Sequence, residues 1–203
     1  FEHVMDITNA IATGFYDPFT MSWGNWALNM FKIDKKLLPK VVDNSFAYGS
    51  THPSIFDVPV KITAVIADQA ASIFGQCCFN KGDVKVTLGT GTFFNINTAS
   101  KCHASILGLY PQIAYHIRDV GVVFDVEGYS SDTANVVLWG MSIGLYEKPE
   151  DTSDMAAAVE DTDGVYFVNG FNGLSAPIND FNAAAGFIGV KMSTTKNHLV
   201  RAL

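Results

Sequence analysis

ITAVIADQAASIFGQCCFNKGDVKVTLGTGTFF, residues 62–94, is the stretch from which the fold is predicted most directly. Residues 60–67 form an apolar run that predicts a buried strand, and this run ends at a carboxylate, Asp68. Residues 69–79 are mostly apolar and predict a helix that follows directly. A carboxylate therefore stands where a predicted buried strand gives way to a predicted helix.

The second half of the stretch predicts two strands joined by a tight turn. Residues 80–83 are typical of a turn, residues 84–88 alternate as a strand does, and residues 93–97 continue as a second strand. Between the strands lies Gly89-Thr90-Gly91-Thr92. Because glycine has no Cβ, the backbone of such a turn can approach a phosphate closely.

Composition limits the class of protein. The chain has 203 residues, of which 48% are hydrophobic and 16% charged, so we expect a folded core. The net charge of −7 argues against nucleic acid as a partner, because phosphate backbones are bound by clustered Lys and Arg. A nucleotide ligand remains compatible with this charge, since backbone N–H groups and a metal ion can hold it.

The cysteines and the chain ends indicate the setting of the protein. The chain has three cysteines, Cys77, Cys78 and Cys102, and two of them are adjacent in sequence. An odd number with two neighbours favours reduced cysteines in a cytoplasmic protein over a disulfide framework. No apolar run approaches the ~20 residues that span a bilayer. The chain does not begin with Met and stops within a helix-like pattern, so we expect an internal fragment of a longer protein.

The flanking segments predict further elements. Residues 1–13 are interpreted as a short strand and a polar turn, and residues 21–31 as a helix capped by Ser22 with Trp23 and Trp26 in the core. Residues 120–126 predict a buried strand, residues 130–145 a helix capped by Ser130 or Ser131, and residues 164–171 another strand. The acidic residues 147–163 lack the spacing of a calcium loop and are interpreted as a solvated face.

Two chemical readings of the central stretch stay open on the residues alone. Asp68 can act as the base that accepts a hydroxyl proton, or it can cap the helix that follows. Gly89-Thr90-Gly91 can cradle phosphate, or it can be an ordinary hairpin turn. No G-x-x-x-x-G-K-[ST] sequence occurs, so the turn is not a Walker loop.

The same residues resemble a known family. ADQAASIFGQCCF followed by GDVKVTLGTGTFFNINT is similar to the middle of the carbohydrate kinases of the glycerol kinase type, and above all to their animal branch. DITNA at residues 6–10 and GFIGVKMSTTKNHLVRAL at residues 186–203 match further motifs in the right order. The resemblance implies an α/β fold of the actin-like, ribonuclease H-like ATPase kind. It also implies a boundary between the end of an N-terminal domain, residues 1–76, and the start of a C-terminal domain, residues 77–203.

The resemblance implies an activity and a set of site residues. The parent protein would use ATP and Mg²⁺ to phosphorylate glycerol to sn-glycerol 3-phosphate. Asp68 would be the catalytic base and a metal-binding residue. Gln69 and Phe93 would join Asp68 in binding the substrate. The residues near the nucleotide would be Gly89, Thr90, Gly91 and Ala134.

Departures from the family pattern leave alternatives open. Ala134 stands where the family has a glycine near the nucleotide, and Leu138 stands where bacterial relatives have a polar residue. A nucleotide-binding scaffold with impaired catalysis is therefore one alternative, and a kinase for another sugar or polyol is a second. The expected partners are glycerol and ATP, with no nucleic acid and with a homo-oligomer left open. Other parts of the family's site lie outside residues 1–203, so we expect this chain to be inactive alone.

Overall fold

The computed structural model of the chain describes residues 2–203, and the sequence-based expectation for Phe1 lies outside the described residues. Helices and strands alternate through the chain. The helices are α1 (Ile7–Ala12), α2 (Asn25–Phe31), α3 (Pro53–Phe56), α4 (Asp68–Gly75), α5 (Ala134–Ser142), α6 (Asp151–Ala157) and α7 (Lys196–Ala202), with one 3₁₀ turn at Lys35–Leu37. Within residues 2–203, each helix is too short or too polar to cross a lipid bilayer.

The strands pair into one larger sheet and several two-stranded ones. In the larger sheet the order is β7-β8-β10-β9, and β1 pairs in parallel with β4. The strands are β1 (Val4–Asp6), β2 (Tyr16–Asp17), β3 (Ser22–Trp23), β4 (Lys40–Val42), β5 (Gly49–Ser50), β6 (Lys61–Ile62), β7 (Val84–Leu88), β8 (Thr92–Ala99), β9 (Tyr110–Ile117), β10 (Gly121–Ser130), β11 (Tyr166–Val168) and β12 (Gly186–Ile188).

The chain divides into two compact units. The first comprises the described part of Phe1–Lys85 together with Phe94–Ser105 and Tyr110–Glu127. The second comprises Val86–Phe93, Ile106–Leu109 and Gly128–Leu203. Each unit has its own hydrophobic cluster, so each is described by itself.

The core of the first unit forms where α1 and α4 pack on β9. Ile7 and Ile11 on α1 are buried with Ile113 of β9, because a helix with apolar residues at i and i+4 presents them on one face. Ile73 of α4 is buried in a second cluster with Tyr115. Burial of these side chains fixes both helices on the strand, and each buried Ile is worth roughly 1.5–3 kcal/mol.

The second unit has an aromatic cluster and a tight helix turn. Trp139 of α5 stacks on Phe167 with ring centroids 5.8 Å apart. Tyr146 Oη donates to the carbonyl of Val137 at 2.7 Å. A Cβ at Gly140 would lie 2.4 Å from Tyr146 Oη, so only glycine allows the tyrosine to close over the helix.

The central predictions are confirmed in part. Strand β7 (Val84–Leu88) has the predicted bounds, β8 begins one residue earlier than predicted and ends two later, and α4 ends at Gly75 rather than at residue 79. Helix α4 stops early because Cys77 adopts a positive φ of 57°, which a helix cannot continue through. The strand–turn–strand pattern was therefore local enough to be predicted from sequence.

The predicted strand over residues 60–67 is wrong for most of its length. Only Lys61–Ile62 forms a strand, and residues 60–64 are exposed rather than buried. Residues 63–67 are not part of a strand, and the backbone groups of Val65 bond elsewhere. The Val65 N–H donates to the Asn44 carbonyl at 3.0 Å, and the Val65 carbonyl accepts from Asn44 Nδ2 at 2.9 Å.

Two predicted helix starts and one predicted turn are also wrong. Residues 7–12 form helix α1 rather than a turn, because the Asp6 side chain caps that helix by accepting from the Thr8 and Asn9 N–H groups. Helix α2 begins at Asn25, since Ser22 lies in β3, and Trp26 is 69% exposed whereas Trp23 is buried.

Helix α5 begins at Ala134 rather than near residue 130. Strand β10 runs on through Ser130, so neither Ser130 nor Ser131 occupies the cap position. Thr133 stands there instead, without a side-chain bond to the helix N-terminus. The sheet therefore takes up residues that the sequence pattern assigns to the helix.

Candidate functional site

Asp68 is the first residue of α4 and follows an extended residue, Ala67. Its Oδ1 accepts from the Gln69 N–H at 2.7 Å, and its side chain is exposed. Ala67, not Asp68, occupies the N-cap position, so the capping alternative does not account for this aspartate. A carboxylate in the first turn is still favoured by the helix dipole.

Three polar side chains hold the peptide that leads to Asp68. The Ala67 N–H donates to Thr8 Oγ1 at 2.8 Å. Thr8 Oγ1 in turn donates to Asp6 Oδ1, and Asn44 Nδ2 donates to the same carboxylate oxygen at 3.1 Å. All three side chains are buried, so the bonds are shielded from water.

This arrangement gives the DITNA motif a structural role. Asp6 caps α1, and Thr8 fixes the backbone just before Asp68. Asn9 Nδ2 donates to Asp6 Oδ2 at 2.6 Å and completes the set of donors around the buried carboxylate. The motif therefore serves to place the helix that carries Asp68 relative to α1.

Asp68 and Gln69 open onto a cavity of about 130 Å³ within the first unit. Its wall combines carboxylate, amide and hydroxyl groups with an apolar side. The lining residues are Thr8, Ile11, Ala12, Ala67, Asp68, Gln69, Ala70, Ile73, Asn95, Gln112, Ile113, Asp125 and Glu127. A polar pocket with convergent side chains beside an exposed carboxylate is typical of a binding site for a small hydrophilic molecule.

Two buried polar residues that line this cavity from the sheet are Asn95 and Asp125, which are 2% and 1% exposed. Asn95 Nδ2 donates to Asp125 Oδ2 at 2.8 Å and to Glu127 Oε2 at 3.0 Å. Burial raises the pKa of the Asp125 carboxyl to about 6, although the bond from Asn95 opposes the shift. The cavity thus holds a carboxyl group whose pKa lies above the ordinary value for an aspartate.

Lys85 supplies a positive charge close to these groups. Its side chain is 4% exposed, and Nζ donates to Gln69 Oε1 at 2.5 Å. Burial lowers the pKa of the Lys85 ammonium, whereas the negative charges of Glu127, Asp125 and Asp68 raise it. Because a lysine ammonium can only donate hydrogen bonds, the oxygen of the Gln69 amide, and not its nitrogen, faces Lys85.

The residues expected near the nucleotide come together in the second unit. The Gly89 N–H donates to the Gly91 carbonyl at 3.0 Å and closes the turn between β7 and β8. The Ala134 N–H donates to the Gly89 carbonyl at 3.1 Å, and the Thr133 N–H donates to the Thr90 carbonyl at 3.0 Å. The Gly-Thr-Gly turn is therefore a hairpin turn that also receives the N-terminus of α5.

Gly91 is required by its surroundings. A Cβ there would lie 2.6 Å from the Ser130 carbonyl oxygen and 2.8 Å from the Tyr129 ring. Phe93 packs on the same Tyr129, with ring centroids 4.8 Å apart, and is half-buried. The turn thus sits directly against the backbone of β10 and the ring of Tyr129.

Asp132 anchors the segment before α5, a role that the sequence analysis missed. Asn172 Nδ2 donates to both carboxylate oxygens of Asp132, at 3.0 and 2.8 Å. Asn169 Nδ2 donates to the Asp132 carbonyl at 2.5 Å. These bonds fix the approach of the chain to Ala134.

Asn95, Asp125 and Lys85 were also missed. Each is a polar residue at an inward position of an otherwise alternating or apolar strand, and that was the signal in the sequence. Buried polar residues of this kind are uncommon unless they are paired or functional. Asp68 is expected to bind a metal, but it does not belong to a cluster of metal ligands. The described residues contain no group of three or more His, Cys, Asp or Glu side chains placed to hold a metal.

Comparison with known proteins identifies the class. The C-terminal domain of the FGGY family of carbohydrate kinases matches residues 84–203, more than half of the chain. The chain belongs to the FGGY family of carbohydrate kinases. The resemblance found in the sequence and the expected actin-like α/β fold are confirmed.

One curated relative and two solved structures are similar to nearly the whole chain. Glycerol kinase 5 from Danio rerio is 46% identical over 201 residues, which cover 99% of this chain and 38% of the relative. The crystal structure of Plasmodium falciparum glycerol kinase with ADP has a TM-score of 0.91 at 32% identity, covering 98% of this chain and 40% of that one. A xylulose kinase from Lactobacillus acidophilus, at 21% identity and a TM-score of 0.83 over 99% of this chain and 41% of its own, shares the fold.

Proposed function

We propose that the protein containing this chain is an ATP-dependent kinase that phosphorylates glycerol to sn-glycerol 3-phosphate. The observation that carries the proposal is the exposed carboxylate of Asp68 at the rim of a polar cavity. The similarity to glycerol kinase 5 and to the Plasmodium glycerol kinase supports glycerol as the substrate. Because the chain spans 38% of the Danio relative, the activity is proposed for the whole protein.

The proposed chemistry assigns Asp68 the role of base. A terminal hydroxyl oxygen of glycerol attacks the γ-phosphorus of ATP, the bond from that phosphorus to the β-phosphate oxygen breaks, and ADP leaves. The hydroxyl proton passes to the Asp68 carboxylate, which is exposed and able to accept it. Gln69 would bind a substrate hydroxyl through its amide, and Phe93 would contact the carbon skeleton.

The second unit would hold the nucleotide. Gly89, Thr90 and Gly91 form a compact turn that is exposed at Gly89 and Thr90, and Ala134 is bonded to that turn. A single carboxylate such as Asp68, together with substrate phosphates and water, is the donor set that Mg²⁺ commonly takes. When bound there, Mg²⁺ would neutralise the charge that develops on the transferred phosphoryl group.

We further propose a domain boundary after Gln76 and a cytoplasmic setting. The match of the C-terminal domain from residue 84 supports a boundary near this point. The free thiols of Cys77, Cys78 and Cys102 support a reducing compartment.

ADP release by the full-length protein tests the kinase proposal. With ATP, Mg²⁺ and glycerol, we expect ADP release that depends on glycerol and falls at least about 100-fold in Asp68→Asn, because a general base contributes roughly that much. Asp119→Asn, which changes an exposed carboxylate in a surface turn, is the matched control and should keep full activity. Strong turnover in Asp68→Asn would remove Asp68 from this role.

The nucleotide-binding scaffold is the second candidate, and Ala134 is the residue that favours it. Its methyl group stands at the start of α5, beside the turn expected to meet the nucleotide. Nucleotide binding without ADP release, for glycerol and for other polyols alike, would support the scaffold. Turnover gained by Ala134→Gly would locate the impairment at this position.

A further inference from the structure

Two asparagines on one loop of the second unit hold the chain just before α5. The Asp132 carboxylate is 7% exposed and accepts from Asn172 Nδ2 through both of its oxygens, at 3.0 and 2.8 Å. Asn169 Nδ2 donates to the Asp132 carbonyl at 2.5 Å. The side chain and the main chain of Asp132 are therefore both held by the same loop.

This arrangement carries a cost in stability. Asp132 is a buried carboxylate, and it forms no ion pair with the Lys, Arg and His side chains of the described residues. Asn169 Oδ1 is buried and has no hydrogen-bond partner among residues 2–203. A buried charge without a counter-charge and a buried acceptor without a donor both raise the free energy of the folded state. Local costs of this kind are expected where a protein holds a functional geometry.

The loop that carries both asparagines is closely packed. A Cβ at Gly173 would lie 2.5 Å from Phe181 Cα, so two stretches of backbone are in direct contact there. The Phe171 ring meets the Trp139 ring of α5 edge-on, with ring centroids 4.9 Å apart. Because this packing leaves the loop little room to move, the loop gives α5 a fixed support.

The residues after Asp132 bond directly to the turn between β7 and β8. The Thr133 N–H donates to the Thr90 carbonyl at 3.0 Å, and the Ala134 N–H donates to the Gly89 carbonyl at 3.1 Å. The peptide between Gly89 and Thr90 is trans, so its carbonyl and its N–H point in opposite directions. Since the carbonyl faces α5, the Thr90 N–H faces away from α5, at a residue that is exposed. The direction of this N–H therefore depends on where the start of α5 is held.

We propose that Asp132 is a positioning residue for the nucleotide: held by Asn172, it fixes the start of α5 and so keeps the Thr90 N–H directed at a phosphate of ATP or ADP. Asp132 acts through the backbone of Thr133 and Ala134 and does not itself contact the nucleotide. It has this role only if the turn meets the nucleotide, as in the proposed function. A backbone N–H in a fixed direction recognises the oxygens of a nucleoside phosphate.

ADP binding by the full-length protein with Mg²⁺, measured by isothermal titration calorimetry, tests this role. In Asn172→Ala the Asp132 carboxylate loses its partner, and we expect the Kd for ADP to rise about tenfold. The KM for ATP should rise by a similar factor while kcat stays within about twofold of wild type, since Asp68 is untouched. An unchanged Kd for ADP in folded Asn172→Ala would overturn the role.

Tyr146→Phe is the matched control for the stability of α5. It removes the bond from Tyr146 Oη to the Val137 carbonyl, which also anchors α5 but does not involve residues 132–134. This variant should unfold at a lower denaturant concentration than wild type and keep the wild-type Kd for ADP. Equal rises in Kd in Tyr146→Phe and Asn172→Ala would show that only the stability of α5 matters.

Exchanging the two side chains tests their pairing. In Asp132→Asn with Asn172→Asp, the amide at position 132 donates to the carboxylate at position 172, so the bond is restored in the opposite direction. We expect this double variant to bind ADP within about threefold of wild type, whereas Asp132→Ala binds about tenfold more weakly. A double variant as weak as Asp132→Ala would contradict the pairing.

A wild-type measurement keeps the test decisive even if a variant fails to fold. ADP should slow hydrogen exchange at the Thr90 amide at least about tenfold, because a phosphate oxygen accepts from that N–H. Exchange at Thr90 that stays unchanged when ADP is bound would overturn the role of Asp132.

The two proposals fail in different ways. Glycerol-dependent ADP release with an unchanged KM for ATP in Asn172→Ala would refute the role of Asp132 while the kinase stands. ADP binding that Asn172→Ala weakens, without ADP release in wild type, would support the role while the kinase proposal fails. A wild-type protein that binds no ADP would refute both.

Discussion

Lys85 Nζ lies 2.5 Å from Gln69 Oε1, so a buried ammonium sets the orientation of the amide next to Asp68. The oxygen end of this amide faces the lysine, which directs its nitrogen end elsewhere. The same ammonium offsets the negative charges of Asp68, Asp125 and Glu127. Lys85 is thus a positioning residue for the rim of the cavity.

The first prediction concerns Lys85→Met in the full-length protein. Loss of the charge-assisted bond, worth roughly 1.5–3 kcal/mol, should lower kcat/KM for glycerol about tenfold or more. The pH dependence of kcat/KM should also move to higher pH, because the Asp125 carboxyl loses the positive charge of Lys85, which lowers its pKa. Lys81→Met, on an exposed turn, is the control and should change neither quantity. An unshifted pH profile in Lys85→Met would limit the lysine to a packing role.

The second prediction concerns Thr8, whose Oγ1 accepts from the Ala67 N–H at 2.8 Å. Thr8→Val keeps the shape and removes the hydroxyl, which leaves the partly buried Ala67 N–H unpaired at a cost of about 1–3 kcal/mol of unfolding free energy. We expect kcat to fall more than KM rises, because the peptide before Asp68 shifts. Thr8→Ser restores the hydroxyl and should recover kcat.

Thr13→Val provides the comparison for Thr8. Thr13 Oγ1 donates to the Ala10 carbonyl at the other end of α1, away from Ala67. This variant should keep the kinetic constants of the wild type. Equal kinetic effects in Thr8→Val and Thr13→Val would show that only the stability of α1 matters.

The third prediction is a pH dependence of stability that comes from Asp125. Burial raises the pKa of this carboxyl from 3.8 to about 6, so the folded state binds a proton more tightly than the unfolded state. Its contribution to stability is therefore present below about pH 4 and is lost as the pH rises through about 6, by about 3 kcal/mol in total. Asp125→Asn removes this contribution.

Denaturant unfolding of wild type and Asp125→Asn at pH 4.5 and pH 7 measures the effect. The variant should gain stability relative to wild type as the pH rises, whereas Asp119→Asn, at an exposed site, should follow the wild type. A difference between wild type and Asp125→Asn that stays constant over this range would mean that Asp125 titrates normally.

The fourth prediction concerns Gly91→Ala. The added Cβ would lie 2.6 Å from the Ser130 carbonyl oxygen, so the turn must move away from β10. We expect a loss of about 1–3 kcal/mol in unfolding free energy and weaker binding of ATP, measured by fluorescence titration with a nucleotide analogue. Gly75→Ala, where a Cβ would have no neighbour within 4 Å, should leave stability and binding near the wild-type values.

The sequence predicted those elements whose cause is local. Strand β7 and the Gly-Thr-Gly turn follow from alternation and glycine placement within a few residues, and both were located correctly. The segment over residues 63–67 was mistaken for a strand because its apolar residues match a strand pattern. Its hydrogen-bond partners, Asn44 and Thr8, are far away in the chain and could not be assigned from the pattern.

For the candidate site, the sequence predicted Asp68 and Gln69 but not the buried residues Asn95 and Asp125. Asp68 and Gln69 were named because a family motif contains them, and the structure puts both on one cavity. Asn95 and Asp125 lie on different strands, and only the pairing within the sheet brings their side chains together. Trp26 is the reverse case. Its helical spacing predicted a place in the core, but its side chain is exposed.

The bond between the Ala67 N–H and Thr8 Oγ1 joins residues 59 positions apart. A peptide that contained only α4 and the residues just before it would include Asp68 but not Thr8, which fixes the backbone before Asp68. The direction of this carboxylate therefore depends on α1 and α4 both packing on β9, and it would be lost wherever the two helices separate. Hydrogen exchange at the Ala67 amide would record that event directly.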